Sequence, residues 1–379
     1  MKTKILMLGA GAIGRGYMPW TLDETKHDLI FIDSNPAIVD RMNAQGSYPT
    51  FRVTKGPNGD EYQKKQVPVL RAYTPAQFKL EEHKDAAACF FSVGPRNVER
   101  AAKLMAGSTI PLILCENEPD TVAVAKRVVG HDRVVFAVPD VITSNTAPAQ
   151  MLAEDPLAIT TENGVQFIEE FAEGPLPLHG EMTWLPREEL LRHQWTPKLY
   201  LHNTPHCITA YLGALMGNTY VHEAMQHPKA AALVEGAMNE MLQALKLQWD
   251  IPHDFLDWYA QKELSRFRCQ LLFDPVSRVA REPLRKLELH GRLIGAAQMC
   301  LTLGVLPQHL LKGIVGAVLF EDANDPDHHI RMMHKSMSTA DFNRYVLGLR
   351  PGEPLDLMLR DQMGAITAEL RSLPRRTAA

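Results

Sequence analysis

The chain has 379 residues, 45% of them hydrophobic and 22% charged, which is enough apolar material for about two to three packed domains and too much for a disordered protein. Forty Lys and Arg against 44 Asp and Glu give a formal net charge of −4, so no basic field exists to hold a nucleic-acid backbone, and a dedicated DNA or RNA binder is excluded. The five cysteines, Cys89, Cys115, Cys207, Cys269 and Cys300, are odd in number and include no Cys-x-x-Cys pair, which argues against a disulfide framework or structural zinc and fits a reducing cytoplasm.

Lys2 and Lys4 precede an apolar run of only four residues, Ile5-Leu6-Met7-Leu8, with Arg15 soon after. That run is too short for a secretory signal. No stretch reaches the roughly 18–20 apolar residues that span a bilayer, so a soluble, cytoplasmic protein with no membrane partner is expected. Ile5–Leu8 reads as a strand, and Gly9-Ala10-Gly11-Ala12-Ile13-Gly14 follows it and opens a helix. In such a loop the first glycine turns the chain sharply and the second lets backbone approach a pyrophosphate. The third lets helix and strand pack closely. A tight turn alone also asks for glycine; what points to a dinucleotide is the setting at the chain start, between strand and helix.

Asp28–Asp33 is the second strand, and Asp33 lies 19 residues past Gly14. There a carboxylate accepts bonds from ribose hydroxyls and repels a 2′-phosphate, so NAD is expected rather than NADP. A helix around Ala37–Met42 follows. Gln45–Val69 holds Gly46, Pro49, Gly56, Pro57, Asn58 and Gly59, which predicts an inserted hairpin. The runs Ala86–Val93, Pro111–Cys115 and Val134–Val138 read as strands, separated by helical patterns at Val98–Met105 and Thr121–Val129. Alternation of this kind indicates βαβ units around a mainly parallel sheet. Ligands gather at the carboxyl ends of such strands, so Gly94 and Asn117 join the cofactor candidates, while Cys115 reads as a buried strand residue. Val165–Phe171 is one more strand, and Gly174-Pro-Leu-Pro and Leu185-Pro-Arg mark loops near a boundary.

Beyond about Pro205 the pattern turns helical, with predicted helices at Lys229–Leu247, Pro283–Leu303 and Pro307–Phe320. The expected fold is α/β: an N-terminal Rossmann-type doubly wound sheet over residues 1–195, binding NAD, followed by a mainly α-helical C-terminal domain over 196–379 for substrate and catalysis, with a cleft between them. Lys198-Leu-Tyr-Leu-His-Asn203-Thr-Pro-His206 stands at the junction. A lysine serves as a base once burial lowers its pKa from about 10 toward about 7–8. Asn203 and His206, three apart, share a face if the segment is helical. The residues alone leave a surface lysine, a capping Asn and a core His as the plainer alternative. His222-Glu223 and His328-His329 lack a second pair at ligand spacing, so no metal is assigned. Trp184, Trp195 and Tyr211 read as packing.

The pattern Lys198-x4-Asn203-x2-His206 resembles that of the polyol-specific long-chain dehydrogenases. The likeness extends to Gly9–Gly16, Ser92-Val-Gly-Pro95, Cys115-Glu-Asn117, Lys198–Gly213, His222-Glu-Ala-Met225, Arg281–Leu287, Arg292-Leu-Ile-Gly295 and Lys312-Gly-Ile314. The resemblance implies NAD-dependent, metal-independent oxidation of a secondary alcohol on an acyclic polyol. Lys198 would be the general base, and Asn203 and His206 would bind the developing alkoxide. The small-molecule substrate expected is a sugar-alcohol phosphate such as mannitol 1-phosphate, interconverted with fructose 6-phosphate.

The chain departs from that pattern at Thr143-Ser144-Asn145-Thr146 and His290-Gly291-Arg292. Asp140 stands near the place of an oxyanion-binding Asn and is kept as a substrate contact instead. Arg281, Arg285 and Lys286, with Arg278 and Arg292, form a candidate clamp for phosphate or carboxylate, the alternative being a solvated, salt-bridged helix face. Other readings are a dehydrogenase of an unphosphorylated polyol or hexuronate, an opine or hydroxy-acid type enzyme with a His–Asp dyad, and a non-catalytic NAD sensor. A monomer or small homo-oligomer is expected.

Overall fold

The computed structural model describes residues 2–56 and 59–375. The chain forms two units, Met1–Gln194 with Leu271–Phe273, and Trp195–Gln270 with Asp274–Ala379.

The first unit holds eleven strands among the described residues: β1 (Thr3–Leu8), β2 (His27–Ile32), β3 (Ser47–Gly56), β4 (Gly59–Pro68), β5 (Arg71–Tyr73), β6 (Ala88–Phe91), β7 (Leu112–Leu114), β8 (Val134–Asp140), β9 (Ile159–Glu162), β10 (Val165–Glu169) and β11 (Met182–Leu185). Eight form one sheet in the order β11-β10-β8-β7-β6-β1-β2-β5. Its pairs are parallel except β8 with β10. β6, β7 and β8 are buried at every position, as befits a parallel sheet covered on both faces. This is the Rossmann-type sheet expected. β1 lies between β2 and β6, so the strand order reverses there and opens a ligand-binding crevice at the carboxyl ends of those strands.

Local signals account for most of these elements. The helix Pro36–Gln45 starts where the Asn35 side chain accepts from the Ala37 amide and ends at Gly46, at φ +68°, a left-handed conformation that glycine adopts without strain. β3 and β4 pair from Ser47 opposite Pro68 to Gly56 opposite Gly59, forming the expected hairpin. Pro57 and Asn58 of its predicted turn lie outside the described residues. β5, with only three residues, and β9, Ile-Thr-Thr-Glu, were too short or too polar to register as apolar runs.

The second unit is helical. Its centre is the helix Thr204–Met216, buried at eleven of thirteen positions, and the helices Pro228–Gln248, Gln308–Val318 and Val276–Ala280 pack on it. Gly313 lets one neighbour come close, because a Cβ there would lie 2.6 Å from Ile208. One expectation fails. Pro283–Leu303 is two helices, Pro283–Lys286 and Ile294–Thr302, joined by a turn. Gly291 breaks the run: the chain folds back so tightly that a Cβ would sit 3.0–3.2 Å from the carbonyls of Glu288, Lys286 and Arg285. Helical periodicity does not register a reversal that depends on one missing side chain.

Candidate active site

At the end of β1, Gly9 has φ +95°, and a Cβ there would collide with the carbonyl of Ser92. A Cβ on Gly14 would overlap the Gly9 carbonyl and lie 2.9 Å from Ser92 Oγ. Turn and packing therefore require the first and third glycines. Gly11 differs: its Cβ would meet no protein atom within 4 Å, so protein packing does not require glycine there, and the open space suits close approach of a phosphate to backbone. Ala10, Ala12 and Ile13 complete the loop, and the helix begins as a π-helical turn, Ala12–Tyr17. Arg15 is turned inward. Its Nε donates to the Ala10 carbonyl at 3.0 Å and its Nη1 to the Leu157 carbonyl.

Asp33 follows β2. Its Oδ2 accepts from the Ala10 amide at 2.7 Å and its Oδ1 from the Asn35 amide at 2.8 Å. Each carboxylate oxygen keeps a second lone pair for a ribose hydroxyl. Loop and carboxylate thus fit a dinucleotide. At the end of β6, Gly94 has φ +87°. The Val93 and Gly94 amides donate to Glu116 Oε1 at 2.8 and 3.2 Å. Glu116 is buried and shapes this turn, a role its place in a Cys-Glu-Asn motif does not reveal. Asn117 is exposed beside it, and Asp140 is buried at the end of β8. Cys115 is buried.

If Asp33 holds the cofactor ribose, Asp33→Gly is expected to raise the KM for NAD about tenfold or more through the loss of those hydrogen bonds, and to allow measurable turnover with NADP. Paired kinetics with the two cofactors check this; unchanged discrimination would remove Asp33 from the cofactor site.

In the helical unit, Lys198–Asn203 is a π-helical turn that runs directly into Thr204–Met216. The Thr204 hydroxyl donates to the carbonyls of Leu199 and Arg292, at 3.0 and 2.8 Å, supporting the wide turn from its side. π-Turns inside helices are frequent at functional sites. Lys198, Asn203 and His206 are 4%, 5% and 7% exposed. Asn203 Nδ2 is buried with no hydrogen-bond partner among the described residues. Leaving such a donor unmatched costs about 1–3 kcal/mol, so this amide stands ready for an acceptor.

His206 Nε2 lies 2.8 Å from Asp274 Oδ2, and Phe267 stacks on the imidazole at 5.1 Å with the rings 5° from parallel. Arg278 donates to Asp274 Oδ1 through Nε at 2.9 Å and Nη2 at 2.5 Å. Burial opposes the Asp274 charge, but Arg278 and the His206 bond outweigh it and hold the carboxyl below its usual range. A second pair lies alongside. His202 Nδ1 bonds Glu263, which also accepts from Arg266 Nη1 at 2.6 Å.

Burial pushes the His202 imidazole down to about 4. His27, His83, His131, His222 and His334 are lowered too, each chiefly by burial. Below an unperturbed imidazole pKa of about 6.5, the unfolded chain therefore binds more protons than the native one. This contribution to stability is full above that pH and is lost as pH falls toward the His202 value of about 4. Calorimetry from neutral to acid pH should show Tm falling through this window; a flat Tm would contradict it.

The basic clamp does not assemble as expected. Arg278 is engaged by Asp274. Arg285 Nε donates to Glu282 Oε2 at 3.0 Å. Lys286 points inward, its Nζ donating to the carbonyls of Val279, at 2.5 Å, and Arg281, with the Tyr211 ring 5.5 Å away. Burial drives its pKa well down. A buried ammonium needs acceptors, and these are backbone carbonyls. Arg281 alone of the three proposed clamp residues is exposed. Just after it, Glu282 has φ +56°, unusual for a non-glycine residue. Buried Asp325 and Asp327 hold that turn, accepting from the Glu282 and Leu284 amides at 2.9 and 3.0 Å. The sequence pattern marks neither aspartate, only the adjacent His328 and His329.

His222 is buried and stacked on Tyr220, while Glu223 Oε2 accepts from the Thr219 and Tyr220 amides. Among the described residues no three His, Cys, Asp or Glu side chains are grouped to hold a metal. No described helix is long and apolar enough to cross a membrane.

Comparison with known proteins places these features in a wider set. The family model for the mannitol dehydrogenase Rossmann domain matches residues 3–180, and that for the mannitol dehydrogenase C-terminal domain matches 193–340. The chain is 30% identical over 351 residues to a mannitol-1-phosphate 5-dehydrogenase of Caldanaerobacter subterraneus subsp. tengcongensis, covering 85% of this chain and 87% of the relative. Among solved structures it is similar to Pseudomonas fluorescens mannitol 2-dehydrogenase in ternary complex with NAD and D-mannitol. The TM-score is 0.76 and the identity 14%, over 98% of this chain and 94% of that one. A substrate-free D-sorbitol dehydrogenase gives a TM-score of 0.64 at 14% identity, over 98% and 95%. At such identities the structural likeness is one of fold.

Proposed function

The chain belongs to the mannitol dehydrogenase family of NAD-dependent dehydrogenases acting on CH–OH groups, and from that premise we propose that it interconverts a sugar-alcohol phosphate, mannitol 1-phosphate, with fructose 6-phosphate. The observation that carries the chemistry is the buried, unpartnered Asn203 amide, set on one continuous helical segment with Lys198 and His206. NAD, when bound, supplies the hydride acceptor. Lys198, as a neutral amine, takes the hydroxyl proton. Asn203 donates to the same oxygen as negative charge grows on it, where a preorganised donor in a dry site acts most strongly. His206 orients the substrate by a further hydrogen bond. The name of the 30% identical relative supports the phosphate, and of the three clamp candidates Arg281 is the exposed one, whereas Arg285 and Lys286 are held by Glu282 and by backbone carbonyls.

The test is an NADH-absorbance screen of the purified protein with mannitol 1-phosphate, fructose 6-phosphate, free mannitol, other polyols, ketoses and hexuronates. Turnover of the phosphorylated pair at a kcat/KM at least tenfold above free mannitol supports the reading. Preference for an unphosphorylated polyol or hexuronate would replace it. The His206–Asp274 pair favours one second reading, an imidazole acid/base as in a hydroxy-acid dehydrogenase. That reading requires turnover of a 2-keto acid and survival of the chemistry in Lys198→Met.

A further inference from the structure

Asp274 is placed by the fold rather than by its own flexibility. Its carbonyl accepts from the Val221 amide at 3.0 Å, Pro275 bridges to Tyr220, and the backbone just before it is left-handed, Phe273 having φ +48°. The carboxylate so positioned has two distinct ends. Oδ1 takes both guanidinium bonds of Arg278, and Oδ2 faces His206 Nε2. An ionised carboxylate only accepts, so the bond to His206 requires the proton to be on Nε2. In the neutral ring Nδ1 then carries the lone pair. Phe267, stacked flat on the imidazole, opposes its rotation.

Resting on the dehydrogenase reading above, we infer that Asp274 is a positioning residue that locks His206 in the Nε2–H tautomer, so that the nitrogen offered to a polyol is an acceptor. His206 then receives a hydrogen bond from a substrate hydroxyl, while the donor to the developing alkoxide is Asn203. The two side chains thus divide the work by hydrogen-bond polarity: Asn203 recognises the oxygen that loses its proton, and His206 a hydroxyl that keeps one. A ketose or polyol lacking that hydroxyl loses the contact, which makes the pair a specificity device as well as a positioning one.

Asp274→Asn tests this with little change of shape. Arg278 can only donate, so it draws the new amide oxygen toward itself and turns the amide nitrogen, a donor, toward His206 Nε2. The imidazole must then move its proton to Nδ1. Long-range ¹⁵N–¹H correlation of the imidazole in the protein without substrate is expected to show Nε2–H in the parent and Nδ1–H in the variant. Polyol kcat/KM should fall on the order of 10–100-fold, the scale of lost orienting partners, with NADH affinity and Tm little changed. Adding Arg278→Met frees the amide to turn its oxygen back to His206, so the double variant should recover the Nε2–H signal and part of the activity. An unchanged tautomer in Asp274→Asn, or full activity in it, overturns the inference. The spectrum needs no substrate, so a parent protein that fails to oxidise any polyol would sink the dehydrogenase reading while leaving the tautomer assignment to be judged on its own.

Discussion

Replacing Lys198 with alanine is expected to lower kcat for polyol oxidation by about 10²–10⁴-fold, the range for loss of a general base. NADH binding, followed by fluorescence titration, should stay within about twofold of the parent, since the glycine loop and Asp33 belong to the other unit. Added small primary amines should restore part of the rate, because they refill the space with the missing proton acceptor. A variant with near-normal kcat would remove Lys198 from the chemistry, and one that fails to bind NADH would point to misfolding. The π-helical turn explains the placement: the lysine opens a turn that continues into the most buried helix of its unit.

Asn203→Ala is expected to cost about 10²–10³-fold in kcat, as removal of an oxyanion donor does elsewhere, with a much smaller change in KM. The same substitution should leave Tm unchanged or slightly raised. Asn203 Nδ2 has no partner among the described residues, and deleting a buried unmatched donor relieves a desolvation cost of about 1–3 kcal/mol. Loss of rate combined with retained or increased stability separates a preorganised catalytic donor from a packing residue, for which both would fall together. A large drop in Tm with little effect on kcat would show that the amide serves the fold.

Much of the first unit was legible from local pattern. Apolar runs located β1, β2, β6, β7, β8 and β10, and the glycine spacing with Asp33 indicated a dinucleotide loop, because strand alternation and a tight turn are written within a few residues of each other. β5 and β9 escaped because pairing, not composition, makes them strands. In the second unit, periodicity marks the helical stripe at Pro228–Gln248, but over Pro283–Leu303 it runs straight through a reversal that hinges on Gly291. The basic cluster shows the limit for charges. Arg278, Arg285 and Lys286 looked alike in sequence, yet one binds a carboxylate, one a neighbouring glutamate and one two backbone carbonyls.

The amino-acid order by itself determined that this protein starts with a nucleotide-binding sheet, ends in helices, prefers a cofactor with a free ribose hydroxyl and carries Lys198, Asn203 and His206 in one stretch. Short-range periodicity and backbone sterics are enough for that. Only the tertiary structure decided which carboxylate faces His206, that Lys286 faces inward and that Asn203 Nδ2 lacks a partner among the described residues. Those properties depend on groups such as Asp274 and Glu263, 68 and 61 residues from the histidines they bond. A side chain's charge state and hydrogen-bond polarity follow from neighbours that folding brings together, and chain order does not reveal them.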